Sequence, residues 1–259
     1  MLQDRSKVGI ALIIFYIPAV ILAAYLLFRR HGRPRLGWYL LTAFSSVRFA
    51  SGIVMIVFEN NPTVGLTIAT IILLSVGVVP LILATLGLLR VAFSLDFEQK
   101  HLVHRLAIFV RIIFGVAIAL LIAGSVLVGN YKSPSSVRHG DGLVKAGNIL
   151  LVAILAALIM LQAYIWRQRR GISRASMTIV KGSASAMPFL IVRVAYALLS
   201  VFSTSQKWNN LTGSIAAFVC MGLLMEYVVV GIYIGVGISI PPVGKDKLRD
   251  GDAHVVLTA

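Results

Sequence analysis

The sequence predicts an all-α fold, a polytopic membrane helix bundle with seven transmembrane helices, and three observations carry that prediction. Of the 259 residues, 59% are hydrophobic and only 13% charged, against roughly 45–50% and 25% in soluble domains. Mean hydropathy is +0.93, and a water-soluble fold of this size lacks the interior to hide so much apolar surface. The apolar residues also fall into seven long runs, each able to cross a hydrocarbon core about 30 Å thick at 1.5 Å of rise per residue.

Those runs cover residues 8–28, 36–58, 64–89, 106–128, 143–166, 183–203 and 211–240. Together they make residues 1–242 one transmembrane domain, and the polar residues 243–259 after Pro241-Pro242 a disordered cytosolic tail. The first run is longer than the core of about 7–15 residues of a signal peptide. It ends in the basic stretch Arg29, Arg30, His31, Gly32, Arg33, Pro34 and Arg35, which resists translocation and keeps the run as a helix. The sixth run is the least apolar, being interrupted by Ser183, Ser185, Pro188 and Arg193.

Net charge is +15, and its placement decides its meaning. Lys and Arg number fifteen in the loops after runs 1, 3 and 5 and in the tail, against six on the opposite side: Arg5, Lys7, Lys132, Arg138, Lys145 and Lys207. This asymmetry predicts an outside N-terminus and a cytosolic C-terminus, with the basic loops against anionic lipid headgroups. The expected partners are therefore membrane lipids, with no nucleic acid, because no basic surface with interleaved aromatic residues lies outside the spans. Asn210-Leu211-Thr212 is a formal glycosylation acceptor that lies too close to run 7 to be used.

Runs 1–3 and 5–7 share a plan: an apolar span, a basic loop, a span with one central Arg, a short loop with paired Asn, and a long span. Val47-Arg48-Phe49-Ala50 matches Val192-Arg193-Val194-Ala195, and Asn60-Asn61 matches Asn209-Asn210. This suggests a parallel 3+1+3 repeat, although shared hydropathy alone produces a similar likeness.

Ionisable groups within hydrocarbon cost roughly 2.5–3.5 kcal/mol on insertion scales, so they face the bundle interior and take partners. Arg48, Arg193 and Glu226 all fall near mid-membrane, and Glu59 lies at the outer end of run 2. These four are the candidates for a ligand-binding site or a buried ion pair. Glu226 pairs with Arg193 or Arg48, and the remaining cation takes Glu59, a carbonyl freed by a proline, or an anionic ligand. Arg111 is near enough to the end of run 4 to snorkel to the headgroups. Pro18, Pro80 and Pro188 each free a backbone carbonyl within a span. Gly231-x-x-x-Gly235 suits close packing within the bundle, and the lone Cys220 is expected to be a small buried apolar residue.

Several chemistries are excluded. Run 7 has no Lys for a retinal Schiff base. His31, His101, His104, His139 and His254 all lie outside the spans, so no intramembrane metal site is expected. No Asp falls within a span, which removes magnesium-diphosphate chemistry. There is no phosphate loop or nucleophile elbow, and no cofactor is implied.

Tyr16-Ile17-Pro18, Gly37-Trp38, Ser46-Val47-Arg48 and the stretch Pro80-Leu81-Ile82-Leu83-Ala84-Thr85-Leu86-Gly87-Leu88-Leu89 together resemble an uncharacterised family of fungal seven-helix integral membrane proteins. The resemblance implies the helix count and a fungal source, and it implies no activity. In length and helix count the chain also resembles the small fungal membrane terpene cyclases, in which Glu59 or Glu226 would serve as general acid. The reading preferred here is a non-enzymatic multi-pass protein that binds a small lipid-like or anionic ligand within the bundle, as a carrier or sensor.

Overall fold

The computed structural model describes residues 4–29, 36–60, 63–96, 100–129, 134–167, 173–203, 205–208 and 213–240. The tail, the Arg29–Arg35 stretch beyond its first residue, Asn61, the Asn209-Asn210 pair and the side chains of His101 and His104 lie outside the described residues. Helices α1 (Asp4–Arg29) and α2 (Leu36–Asn60) come first, followed by α3 (Val64–Val76) and α4 (Val79–Asp96). Next are α5 (Lys100–Gly129), α6 (Pro134–Arg167) and α7 (Arg174–Phe202). A 3-10 turn at Gln206–Trp208 leads to a last span composed of α8 (Ile215–Ala217), a π-helix (Phe218–Leu223) and α9 (Leu224–Ser239). Among the described residues there is no strand.

Among the described residues, seven segments are long and apolar enough to cross a membrane: Ser6–Phe28, Leu36–Asn60, Val64–Ala92, Val110–Gly129, Ser135–Arg167, Ser176–Phe202 and Ile215–Ser239. In hydrocarbon, only a helix satisfies its own backbone amides and carbonyls, so runs this apolar have no other stable conformation. α6 and α7 begin nine residues before the apolar runs they contain, because helical hydrogen bonding continues into polar sequence once a span has nucleated it. At its start α7 is capped by Ser173, whose hydroxyl accepts from the Ser176 amide at 3.3 Å.

The spans form a closed ring in chain order. α1 packs on α2, α2 on α3 and α4, α3 on α5, α5 on α6, α6 on α7, α7 on α9, and α9 returns to α1. α4 is the central post: it touches α2, α5, α6 and α7, and Val79, Leu81, Ile82, Ala84, Thr85, Leu88 and Leu89 bury every side of it. A helix apolar all round belongs in such a position.

Water does not drive helices together inside a bilayer, so close van der Waals approach must hold them, and glycine permits it. A Cβ on Gly52 would stand 2.9 Å from the Gly9 carbonyl oxygen, which locks α1 against α2. One on Gly87 would stand 2.7 Å from the Gly37 Cα, between α4 and α2, and one on Gly124 2.8 Å from the Gly140 carbonyl, between α5 and α6. The glycines of run 7 behave differently from expectation. Gly231 and Gly235 have open space around them, and it is Gly237 that packs inside, against Leu26 and Trp38. Cys220 is likewise exposed rather than buried, because it lies on the outward side of the π-helix.

Polar side chains add a few interhelical bonds. Thr85 of α4 and Tyr233 of α9 share a hydrogen bond of 2.5 Å. Gln162 of α6 donates to the Val180 carbonyl of α7 at 2.7 Å and accepts from Ser183 at 2.9 Å.

Pro80 was expected to free a carbonyl within a continuous third span, and the span is instead broken in two. Gly77 and Val78 form a turn, and Pro80 occupies the first turn of α4, where its missing amide costs no helical bond. Pro18 and Pro188 stay within continuous helices, both exposed on the outer surface.

Gly52→Ala is expected to destabilise the protein by about 1–3 kcal/mol, since the obstructing atom is backbone. Gly231→Ala, made into open space, is expected to be neutral or stabilising by up to about 1 kcal/mol. Parallel unfolding curves in one detergent distinguish the two outcomes.

Candidate functional site

The broken third span is explained by what lies against it. A Cβ at Gly77 would come 2.6 Å from Cζ and 2.7 Å from Nη2 of Arg48, so only glycine lets the guanidinium rest on the backbone at the end of α3. That end carries the negative pole of the helix dipole, which favours a cation. Arg48 is the central residue of α2 (Leu36–Asn60) and is fully buried.

Glu226 lies in the first turn of α9, three residues past the end of the π-helix, and is also fully buried. Its Oε1 accepts from Nη2 of Arg48 and from Nε of Arg193 at 2.6 Å. Arg193 of α7 is 4% exposed. The two arginines lean on aromatic faces, with Cζ of Arg48 5.8 Å from the Phe44 ring centre and Cζ of Arg193 5.9 Å from that of Tyr196. One carboxylate thus joins three spans, the second through Arg48 and the last two through Arg193 and Glu226 itself.

The charges do not balance. Two guanidiniums meet one carboxylate, so the cluster keeps one positive charge in the lipid interior. Five fully buried polar atoms have no hydrogen-bond partner among the described residues: Nε and Nη1 of Arg48, the hydroxyls of Tyr16 and Tyr227, and Oε2 of Glu226. Nearly every buried polar group in a folded protein has a partner, so five such atoms on four side chains are an unusual concentration.

Tyr16 lies at the middle of α1 and Tyr227 next to Glu226. The Tyr16 ring meets Phe44 edge-on at 5.9 Å and Tyr227 at 5.3 Å. Tyr227 stacks on Phe15 at 3.9 Å. Four aromatic rings therefore enclose the side of the cluster formed by α1, α2 and α9.

Of the four residues singled out in the sequence, the structure brings Arg48, Arg193 and Glu226 together and leaves Glu59 apart. Glu59 is near the end of α2, about 16 Å of helical rise from Arg48, where it accepts from the Ser6 hydroxyl. It does not supply the missing negative charge. Arg111 is exposed, in keeping with a headgroup anchor. The place of Tyr16 and Tyr227 beside the cluster, with buried hydroxyls that have no partner among the described residues, was missed, because a tyrosine inside an apolar run reads as bulk. The Gly-Val-Val-Pro sequence at the α3–α4 break was a signal that could have been used. The six-residue π-helix left none.

Residues 2–243 match the family described as a domain of unknown function, DUF7702. The chain belongs to that family. No curated protein and no solved structure matches it. The match spans all seven apolar segments.

Glu226→Gln is expected to destabilise the protein by about 3–5 kcal/mol, because it leaves two buried guanidiniums without their shared negative charge. Adding Arg193→Gln restores the original net charge, so the double variant is expected to lose less than the two single losses combined, by about 0.5–3 kcal/mol. A double-mutant cycle by chemical unfolding measures this coupling.

Proposed function

We propose that this is a multi-pass membrane protein that binds a small anionic ligand at the Arg48–Arg193–Glu226 cluster, acting as a carrier or sensor. The observation that carries the reading is the uncompensated positive charge with unpaired donors at mid-membrane. Arg48 Nε and Nη1 and the two tyrosine hydroxyls offer donors suited to the oxygens of a carboxylate. The unpaired Oε2 of Glu226 accepts, so the ligand carries a hydroxyl beside its carboxylate. A 2-hydroxy carboxylate meets all of these requirements together.

The general-acid reading is the weaker one. Oε1 of Glu226 accepts from both arginines, which occupies the carboxylate as an acceptor instead of leaving it a proton to deliver. Glu59 is engaged by Ser6 away from the cluster.

The basic-loop asymmetry supports an outside N-terminus and a cytosolic C-terminus. The parallel 3+1+3 repeat draws support from the paired positions of Arg48 and Arg193, both joined to Glu226. In that arrangement the site lies between the two halves, where transporters of repeated build place theirs.

Purified protein titrated with glycolate and with acetate tests the ligand reading. Wild type is expected to bind both, glycolate about tenfold more tightly, a difference of about 1.4 kcal/mol; Arg48→Gln is expected to lose at least tenfold for each. Absence of binding in wild type, or unaltered binding by Arg48→Gln, would falsify it. Orientation is checked separately on a Cys220→Ser background. An impermeant maleimide is expected to label Thr63→Cys from outside the cell, whereas Ser173→Cys stays unlabelled until the membrane is permeabilised.

A further inference from the structure

The seam between α1 and α9 indicates how a ligand reaches a site at mid-membrane. α1 packs mainly along α2, and its contact with α9 is much thinner. Towards the end at α9's C-terminus the seam is sealed by Gly237 against Leu26 and Trp38. At the level of the cluster, its closure is the Phe15–Tyr227 stack, with ring centres 3.9 Å apart.

This stack sits at the edge of the lipid-facing surface. Phe15 and Tyr227 are both only partly buried. Each ring stands at the border between exposed and buried surface: of the helical neighbours at i±3 and i±4, Ala11, Pro18, Leu224 and Gly231 are exposed, whereas Leu12, Ala19, Leu223 and Val230 are buried. Next to Phe15, Ile14 is 68% exposed. Yet the Tyr227 hydroxyl is fully buried and unpartnered, as is that of Tyr16. One pair of rings thus separates lipid tails from the buried donors of Arg48.

We infer that the ligand is a single-chain amphiphile, a 2-hydroxy carboxylate with an alkyl tail, that enters from the bilayer between α1 and α9 when the Phe15–Tyr227 stack parts. The proposal rests on the anion-binding reading above and adds the tail and the route. The headgroup meets Arg48, Tyr16 and Glu226, while the tail stays in lipid beside Ile14, Pro18 and Leu224. Gly231 leaves room along α9 for such a chain. An aqueous route through the ends of the bundle would not need a lipid-facing closure over the site.

Full-length protein in nanodiscs, on a Cys220→Ser background with Phe15→Cys and Tyr227→Cys, tests the inference. The probe is radiolabelled 2-hydroxydodecanoate, with its methyl ester and glycolate as comparisons. Wild type is expected to bind the acid and to reject the ester by at least tenfold. Joining the two cysteines with a short bis-methanethiosulfonate is expected to slow exchange of the probe by at least tenfold, and thiol reduction in the same sample restores it, so misfolding cannot mimic the result. Phe15→Ala is expected to speed exchange severalfold. Equal exchange in the joined and reduced forms overturns the route. Glycolate binding without 2-hydroxydodecanoate binding overturns the amphiphile and leaves the anion site standing, whereas binding of neither overturns both.

Discussion

A single carboxylate oxygen shared by two arginines in the hydrocarbon interior is the constraint on which the rest of this structure depends. Arg48 comes from α2, Arg193 from α7 and Glu226 from α9, so the interaction fixes the rotation of three spans at once. Apolar side chains alone leave such rotations weakly defined, since a leucine meets lipid as readily as it meets another helix. A charge does not have that freedom. Turned outward, each of the three groups costs several kcal/mol, and turned inward they have only one another.

The glycine crossings then set how near the spans stand. Gly9 with Gly52 and Gly37 with Gly87 bring α1 and α4 close against α2, which helps to place Tyr16 and the α3–α4 break near the Arg48 guanidinium. These contacts and the ion cluster act on different coordinates, separation and rotation. Neither would define the site without the other, because a helix correctly turned but held an ångström too far away loses its hydrogen bonds.

What was legible in the sequence follows this division. The all-helical class and the seven membrane-length segments could be read because hydrophobicity is a property of single runs. The mid-span positions of Arg48, Arg193 and Glu226 could be read because rise per residue converts an index into a depth. Partner choice was only half legible: depth brings Glu226 level with both arginines but does not say that one oxygen serves both. Glu59 illustrates the limit, being acidic and on the same helix as Arg48, yet more than ten residues of rise away from it. The glycine pairs were illegible, since each joins two helices and no spacing along one chain segment reports it. The one glycine pattern that did follow a spacing rule, Gly231 and Gly235, faces outward. Tyr16 and Tyr227 escaped notice because their rings are apolar and only the hydroxyl, which needs a three-dimensional neighbour, distinguishes them from phenylalanine.

Two departures from α-helical geometry complete the argument, and both touch the cluster. The turn at Gly77 and Val78 interrupts the third span against Arg48, and the π-helix Phe218–Leu223 ends three residues before Glu226. Within a bilayer, irregular backbone is tolerated only where protein buries it or where it lines a cavity, because lipid offers no replacement hydrogen bonds. Natural helices surrender regular bonding most often at functional positions, and π-turns are a recurrent example. An ion cluster that merely fastened helices together would be served by straight ones, with a second acid to complete its charge. Here the backbone yields at two places, the charge is left incomplete, and five buried polar atoms of the surrounding side chains have no partner among the described residues. That combination is what the proposed anion site rests on: one carboxylate serves two arginines, and the charge left over is what an anionic ligand would neutralise.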